Sequence, residues 1–157
     1  MTAIRIANAP CSWGSLEFEG LEGQALTCER MLDELVETGY TGTELGDWGF
    51  MPTEPASLRQ VLEARRVTLV GAFVPARFAD ASAHAAGAEA AVRVARLLAG
   101  AASHEYAPMI ILADENGTVP RRTANAGRVT PAMGLDKDAW HVFAHGVETV
   151  ARAVRES

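Results

Sequence analysis

Gly39-Tyr40-Thr41-Gly42-Thr43-Glu44-Leu45-Gly46 decides the fold class. Upstream of it, Met31, Leu32, Leu35 and Val36 recur at helical spacing, and Gly39 falls where a helix closes on a left-handed residue. A helix is therefore expected to end near Thr38. Thr41 to Leu45 is short, β-branched and free of proline, and Gly46 closes it, the pattern of a buried parallel strand. Glu44 then stands at the carboxyl end of that strand. In barrels and open α/β sheets this is the edge where βα loops converge and ligands bind.

Outward from there, helical and strand patterns alternate. Ala3 to Ala9 reads as a first strand, Ile4 and Ile6 alternating with Arg5, and Pro10 stops it. Thr27 is placed to cap the first helix, with Glu29 in its first turn. Thr53-Glu54-Pro55 opens a second helix that runs through Leu58, Val61 and Leu62 to Arg65-Arg66, cations suited to a helix C-terminus. Val67 to Phe73 is the clearest strand, apolar enough to be covered on both faces. Pro75, Arg77 and Asp80 follow as a loop, and Ala81 to Ala102 is an alanine-rich helix on which His84 reads as a surface residue. Met109 to Ala113 reads as a fourth buried strand.

The last helix has a buried stripe of Trp140, Phe143, Val147, Val150, Ala151 and Val154. His141 and His145 have the spacing of a metal-binding pair, but they fall opposite that stripe beside Glu148 and Arg152, without the glutamate of HExxH. The total is four consecutive βα units in one domain over residues 1–157, which predicts an α/β fold with a parallel sheet and right-handed crossovers. A small doubly wound sheet would want a Gly-rich phosphate loop after the first strand, and none is present. The first half of a (β/α)8 barrel, a fold of about 250 residues when whole, fits the same count.

Composition excludes several classes of partner. At 157 residues, 48% hydrophobic and 22% charged, the chain suits an ordered domain. A net charge of -6 argues against nucleic acid or an anionic membrane as main partner. No apolar run approaches the roughly 18 residues of a spanning helix and the N-terminus lacks a signal layout, so the cytoplasm is expected. Cys11 and Cys28 lack CxxC spacing and read as reduced thiols.

Chemistry-bearing residues gather after the strands. Asn8, Ser12 and Trp13 in Asn8-Ala9-Pro10-Cys11-Ser12-Trp13-Gly14 could orient a polyhydroxylated ligand, or could satisfy turn amides and plug the sheet end. Residues Ser15 to Leu26, with Glu17, Glu19 and Glu22, read as a solvated loop. Trp48 and Phe50, in Asp47-Trp48-Gly49-Phe50-Met51-Pro52, form either a pocket wall or a lid. Asp114-Glu115-Asn116-Gly117 marks the end of the fourth strand. The loop from Asp114 to about Leu135 exceeds the roughly 12–15 residues of an ordinary connector, which points to function. Its Arg121, Arg122 and Arg128 either clamp a phosphate or carboxylate or form a solvated surface.

Three stretches carry a resemblance to a family: Asn8 to Gly14, Gly39 to Gly46, and Asn116-Gly117-Thr118-Val119-Pro120 with Arg122-Thr123-Ala124-Asn125-Ala126-Gly127-Arg128. They resemble the xylose-isomerase-like TIM barrels, in particular the sugar phosphate isomerase/epimerase group that includes inosose dehydratases. The resemblance runs along the chain but covers only the N-terminal half of that fold. It implies a reaction in which a divalent metal, manganese or cobalt, polarises a carbonyl and its neighbouring hydroxyl, and a carboxylate removes the α proton to give an enediolate. Dehydration, isomerisation or epimerisation follows. It also implies that the metal ligands and the catalytic acid and base belong to the later half, so that no residue here inherits those roles. What carries over is substrate-facing: Asn8, Ser12, Trp13 and Glu44, with Asp114 and Glu115. Trp48 and Arg122 join them from the reading of their loops, and Glu44 could instead be a structural acceptor. The expected ligand is a small polyol or sugar, and the chain alone is expected to be inactive. The alternative is a non-catalytic half-barrel that self-associates or pairs with a second half, because four strands leave two edges and one face uncovered.

Overall fold

Strand β2 (Gly42–Glu44) lies between β1 (Ala7–Asn8) and β3 (Thr68–Ala76), and β4 (Met109–Asp114) lies on the far side of β3. The structure is a computed structural model that describes residues 6–13, 26–103, 106–115 and 117–157. All four strands are parallel and make one sheet. Helices alternate with them: α1 (Cys28–Glu37), α2 (Pro55–Glu63) and α3 (His84–Ala101) between strands, then the single turn α4 (Pro120–Thr123) and α5 (Lys137–Arg155). This is the expected α/β fold, consistent with half of a TIM barrel. The start of the expected first strand at Ala3 to Arg5, Gly14, the loop 15–25 with its three glutamates, and Asn116 lie outside the described residues.

The helix ends follow local chemistry. Thr27 Oγ1 accepts from the Arg30 N–H, and Glu54 Oε2 accepts from the Ser57 N–H at 2.9 Å with Pro55 in the first turn. α1 closes as the sequence predicts: Tyr40 N–H donates to Leu35 O, Gly39 N–H donates to Val36 O, and Gly39 has φ +89°. α2 closes with the same pair of bonds, Val67 to Leu62 and Arg66 to Glu63, but Arg66 occupies the left-handed position at φ +55°.

Register explains how β3 keeps one side buried. Thr43 is opposite Leu69 and Glu44 is opposite Gly71, so Val70 is an extra residue and the alternation shifts there. Val67 and Leu69 before the bulge, and Ala72, Val74 and Ala76 after it, are all buried. β3 also runs past Phe73, where the strand was expected to stop. Pro75 is tolerated because β2 has ended opposite Gly71, so no ladder bond is lost on that side.

The chain divides into two compact units, Met1–Phe73 with Val94–Ile111, and Val74–Arg93 with Leu112–Ser157. The core of the first is built from Met31, Leu32 and Leu35 of α1, Leu58 and Leu62 of α2, and Leu97 and Leu98 of α3, all essentially buried with Leu69 and Ala72. Each such large apolar side chain contributes about 1.5–3 kcal/mol. On the other side of this part of the sheet several described apolar side chains are exposed. Ile6 is 53% exposed, Phe73 46% and Met109 60%. The expectation that the third strand is covered on both faces and the fourth is buried is therefore corrected: Phe73, Met109 and Ile111 are exposed.

In the second unit Val74, Ala76, Phe78, Ala91 and Val150 form the core. His84, expected on the surface, is buried, with Nε2 2.9 Å from Phe78 O. Phe78, Phe143 and Trp140 form an edge-to-face series with ring centroids 5.4 Å apart at each step. Trp140 is 55% exposed, so it caps this series and does not belong to the buried stripe. The loop after β4 holds α4 and a 3-10 turn at Pro131–Met133. Among the described residues no helix is long and apolar enough to cross a membrane.

Candidate functional site

The carboxyl ends of β1 and β2 belong to the first unit. After β1 the chain turns through a 3-10 segment, Pro10–Trp13, and Asn8 organises it. Its Oδ1 accepts from Ser12 Oγ at 2.7 Å and from the Ala9 N–H at 2.9 Å. Trp13 Nε1 donates to Glu34 Oε2 at 2.9 Å, and Arg30 Nε meets the other oxygen of that carboxylate at 3.0 Å. The arginine first, and the indole after it, hold Glu34 below the usual carboxylate range. Asn8 Oδ1 and Trp13 Nε1 are thus engaged within the chain. Exposed Ser12, the Asn8 amide nitrogen and the indole face are what the described part of this loop has left to offer a ligand.

Glu44 stands apart from that loop. Thr43 before it is fully buried and donates through Oγ1 to the Glu44 carbonyl. Alternation turns the Glu44 side chain to the open side, where it lines a trough of about 370 Å³ with Ile6, Thr68, Val70, Met109 and Ile111. No described residue hydrogen-bonds its carboxylate. Trp48 follows in an exposed turn. Cys11 is exposed, whereas Cys28 is buried and its thiol is pushed up to about 11, chiefly by burial, which makes it a packing residue and not a nucleophile.

The ends of β3 and β4 belong to the second unit. Asp114 Oδ1 accepts from the Phe78 N–H at 3.3 Å, and the Glu115 N–H donates to Ala76 O. Arg77 reaches Asp80 at 3.3 Å and Glu115 at 3.8 Å. The hydroxyl and then the amide of Ser82 hold the Asp80 carboxyl below its usual value. Asp114, Glu115 and Arg122 line one cavity of about 390 Å³, together with Thr118, Val119 and Thr123. Of the three loop arginines only Arg122 lines it.

Within each unit the structure therefore makes one cluster of the predicted residues: Asn8 with Ser12, and Asp114 and Glu115 with Arg122. It also adds two residues that the sequence did not single out as binding groups. Arg77 joins the second cluster because β3 is longer than its apolar run. Glu34 holds Trp13 because it lies on the α1 face turned toward the first loop. Among the described residues no three His, Cys, Asp or Glu side chains come together in a way that fits a metal ion.

The chain matches no protein-family model. It is similar to inosose dehydratases. It is 36% identical to that of Geobacillus kaustophilus (strain HTA426) over 79 residues, 50% of this chain and 25% of the relative. It is 24% identical to that of Lacticaseibacillus casei over 153 residues, 98% of this chain and 48% of the relative. With that of Serratia proteamaculans (strain 568) it shares 30% identity over 77 residues, 49% of this chain and 25% of the relative. The chain spans about half the length of the curated relatives it matches. These partial likenesses support a relation to sugar isomerase/epimerase-like proteins.

Proposed function

We propose that this chain supplies substrate-facing loops of a sugar- or polyol-converting enzyme of the isomerase, epimerase or inosose dehydratase type. The observation that carries the reading is the alignment of 98% of the chain with an inosose dehydratase. Four parallel strands with ligand-competent groups at their carboxyl ends support it. Ser12, Trp13 and Glu44 in the first unit, and Asp114, Glu115 and Arg122 in the second, are the groups that would hold a polyol: carboxylates accept from hydroxyls, and the indole faces the C–H side of a ring. Asn8 positions Ser12, and Trp48 flanks the β2 end. Among the described residues no group of three His, Cys, Asp or Glu side chains would hold the manganese or cobalt ion that the resemblance implies.

In this reading the chain binds a polyol without converting it. Calorimetry with scyllo-inosose, and an assay for loss of the same compound with manganese added, test both halves. Binding without turnover is expected. Turnover by the purified chain would overturn its inactivity, and absence of binding by every sugar or polyol tried, neutral or charged, would overturn the substrate class.

The exposed apolar side chains on the open sheet face favour a second reading, in which the chain is a non-catalytic module that works by assembly with itself or with a second half. Solution mass tests it.

A further inference from the structure

We infer that the ligand of the cavity after β4 carries an anionic group, phosphate or carboxylate, and that Arg122 receives it. This deepens the function proposed above and rests on it. The inference starts from where the charges of the cavity wall are directed. Asp114 and Glu115 both line the cavity, yet each is engaged elsewhere: Asp114 accepts from the Phe78 amide, and Glu115 lies 3.8 Å from Arg77. Arg122 is half-buried in the same wall and makes no ion pair or side-chain hydrogen bond with a described residue. Its neighbours Arg121 and Arg128 are exposed and do not line the cavity.

A guanidinium partly withdrawn from water and without a counter-ion gains from any group that supplies the missing acceptors. Its planar fork matches two oxygens of one phosphate or carboxylate. The rest of the wall suits the body of such a ligand. Thr118 and Thr123 donate their hydroxyl hydrogens to the carbonyls of Glu115 and Val119, which leaves oxygen lone pairs turned to acceptor duty. Val119 supplies an apolar patch. At about 390 Å³ the cavity has the size of a single small-molecule site. The substrate class that follows is a polyol bearing one anionic group, bound in preference to a neutral polyol.

Calorimetry on the intact chain tests this with four probes: myo-inositol, myo-inositol 1-phosphate, glucuronate and inorganic phosphate. At least one of the two charged polyols should bind 10-fold or more tightly than myo-inositol, and which one does so identifies the anion. Arg122→Gln should bring it down to the affinity of myo-inositol, and Arg122→Lys should retain part of the difference. Three results would overturn the inference while leaving the proposed function in place: myo-inositol binding as tightly as both charged polyols, a preference for charge that survives Arg122→Gln, or inorganic phosphate alone matching the phosphorylated ring. If no polyol binds at all, the proposed function falls and this inference falls with it.

Discussion

Gly146 is the residue on which the fit of His84 depends. A Cβ at position 146 would lie 2.5 Å from His84 Nε2 and 3.0 Å from its Cε1, and that same Nε2 is 2.9 Å from the Phe78 carbonyl. Glycine inside a helix costs up to about 1 kcal/mol relative to alanine, so propensity alone would make Gly146→Ala stabilising. The clash opposes it with about 1–3 kcal/mol of overpacking, and displacement of the imidazole loses a hydrogen bond of about 1 kcal/mol. The second effect wins. Gly146→Ala should lower the urea midpoint, and His84→Ala in the same chain should recover part of the loss, as expected of coupled neighbours. An unchanged midpoint in the single variant would sink this account. The burial of His84 was not legible in the sequence, because nothing local distinguishes it from any polar residue at the start of an alanine-rich helix. Its partners come from a preceding loop and a distant helix. Cys28 was read only as a reduced thiol, and its burial in the first turn of α1 was not legible either.

At the level of elements, the contact between Asp33 on α1 and Arg65 just beyond α2 gives a pH dependence with a definite sign. Their atoms are 2.6 Å apart, and the hydrogen bond from Arg65 holds the Asp33 carboxyl below its ordinary 3.8. A carboxyl whose value is lower in the fold than in the unfolded chain contributes stability above its unfolded value and loses it as pH falls through the folded one. Asp33→Asn should therefore weaken the protein near neutrality and give a shallower loss of stability below about pH 4. Urea midpoints followed from roughly pH 6 to pH 3 measure this, and acid limbs of equal slope would contradict it. The elements that were legible are those fixed by neighbours in sequence: the Thr27 cap, the Gly39 terminus, and the short strand ending at Glu44. Arg66 in a glycine-like position was not, because its left-handed turn belongs to the closing bonds from Arg66 to Glu63 and from Val67 to Leu62, and no glycine marks it. The extension of β3 and the exposure of β4 depended on which strands end beside them and on a face left open. Trp140 looked like core by spacing, but it meets Phe143 in a T-shaped contact and is otherwise 55% exposed.

For the whole molecule, parallel βα order told where ligand-facing loops would lie, and that much of the candidate site could be read from the strand ends. Which groups remain available there could not. Asn8 Oδ1 and Trp13 Nε1 are occupied by contacts with Ser12 and Glu34, and Arg122 is distinguished from Arg121 and Arg128 only by the fold of its loop. The sequence also implied an uncovered sheet face, and in the first unit Ile6, Phe73, Met109 and Ile111 are exposed apolar side chains on or beside it. Water contact on such a surface favours association, whereas the net charge of -6 opposes it between identical chains. Salt screens the repulsion far more than it weakens apolar contact, with a Debye length of about 10 Å at 0.1 M and about 3 Å at 1 M. Light scattering should therefore show a mass above that of the 16.7 kDa chain which rises with added salt. Met109→Glu should lower it without unfolding the protein, since that side chain is 60% exposed already. A monodisperse monomer at high concentration and high salt would remove the reading of self-assembly and leave the face to a different polypeptide.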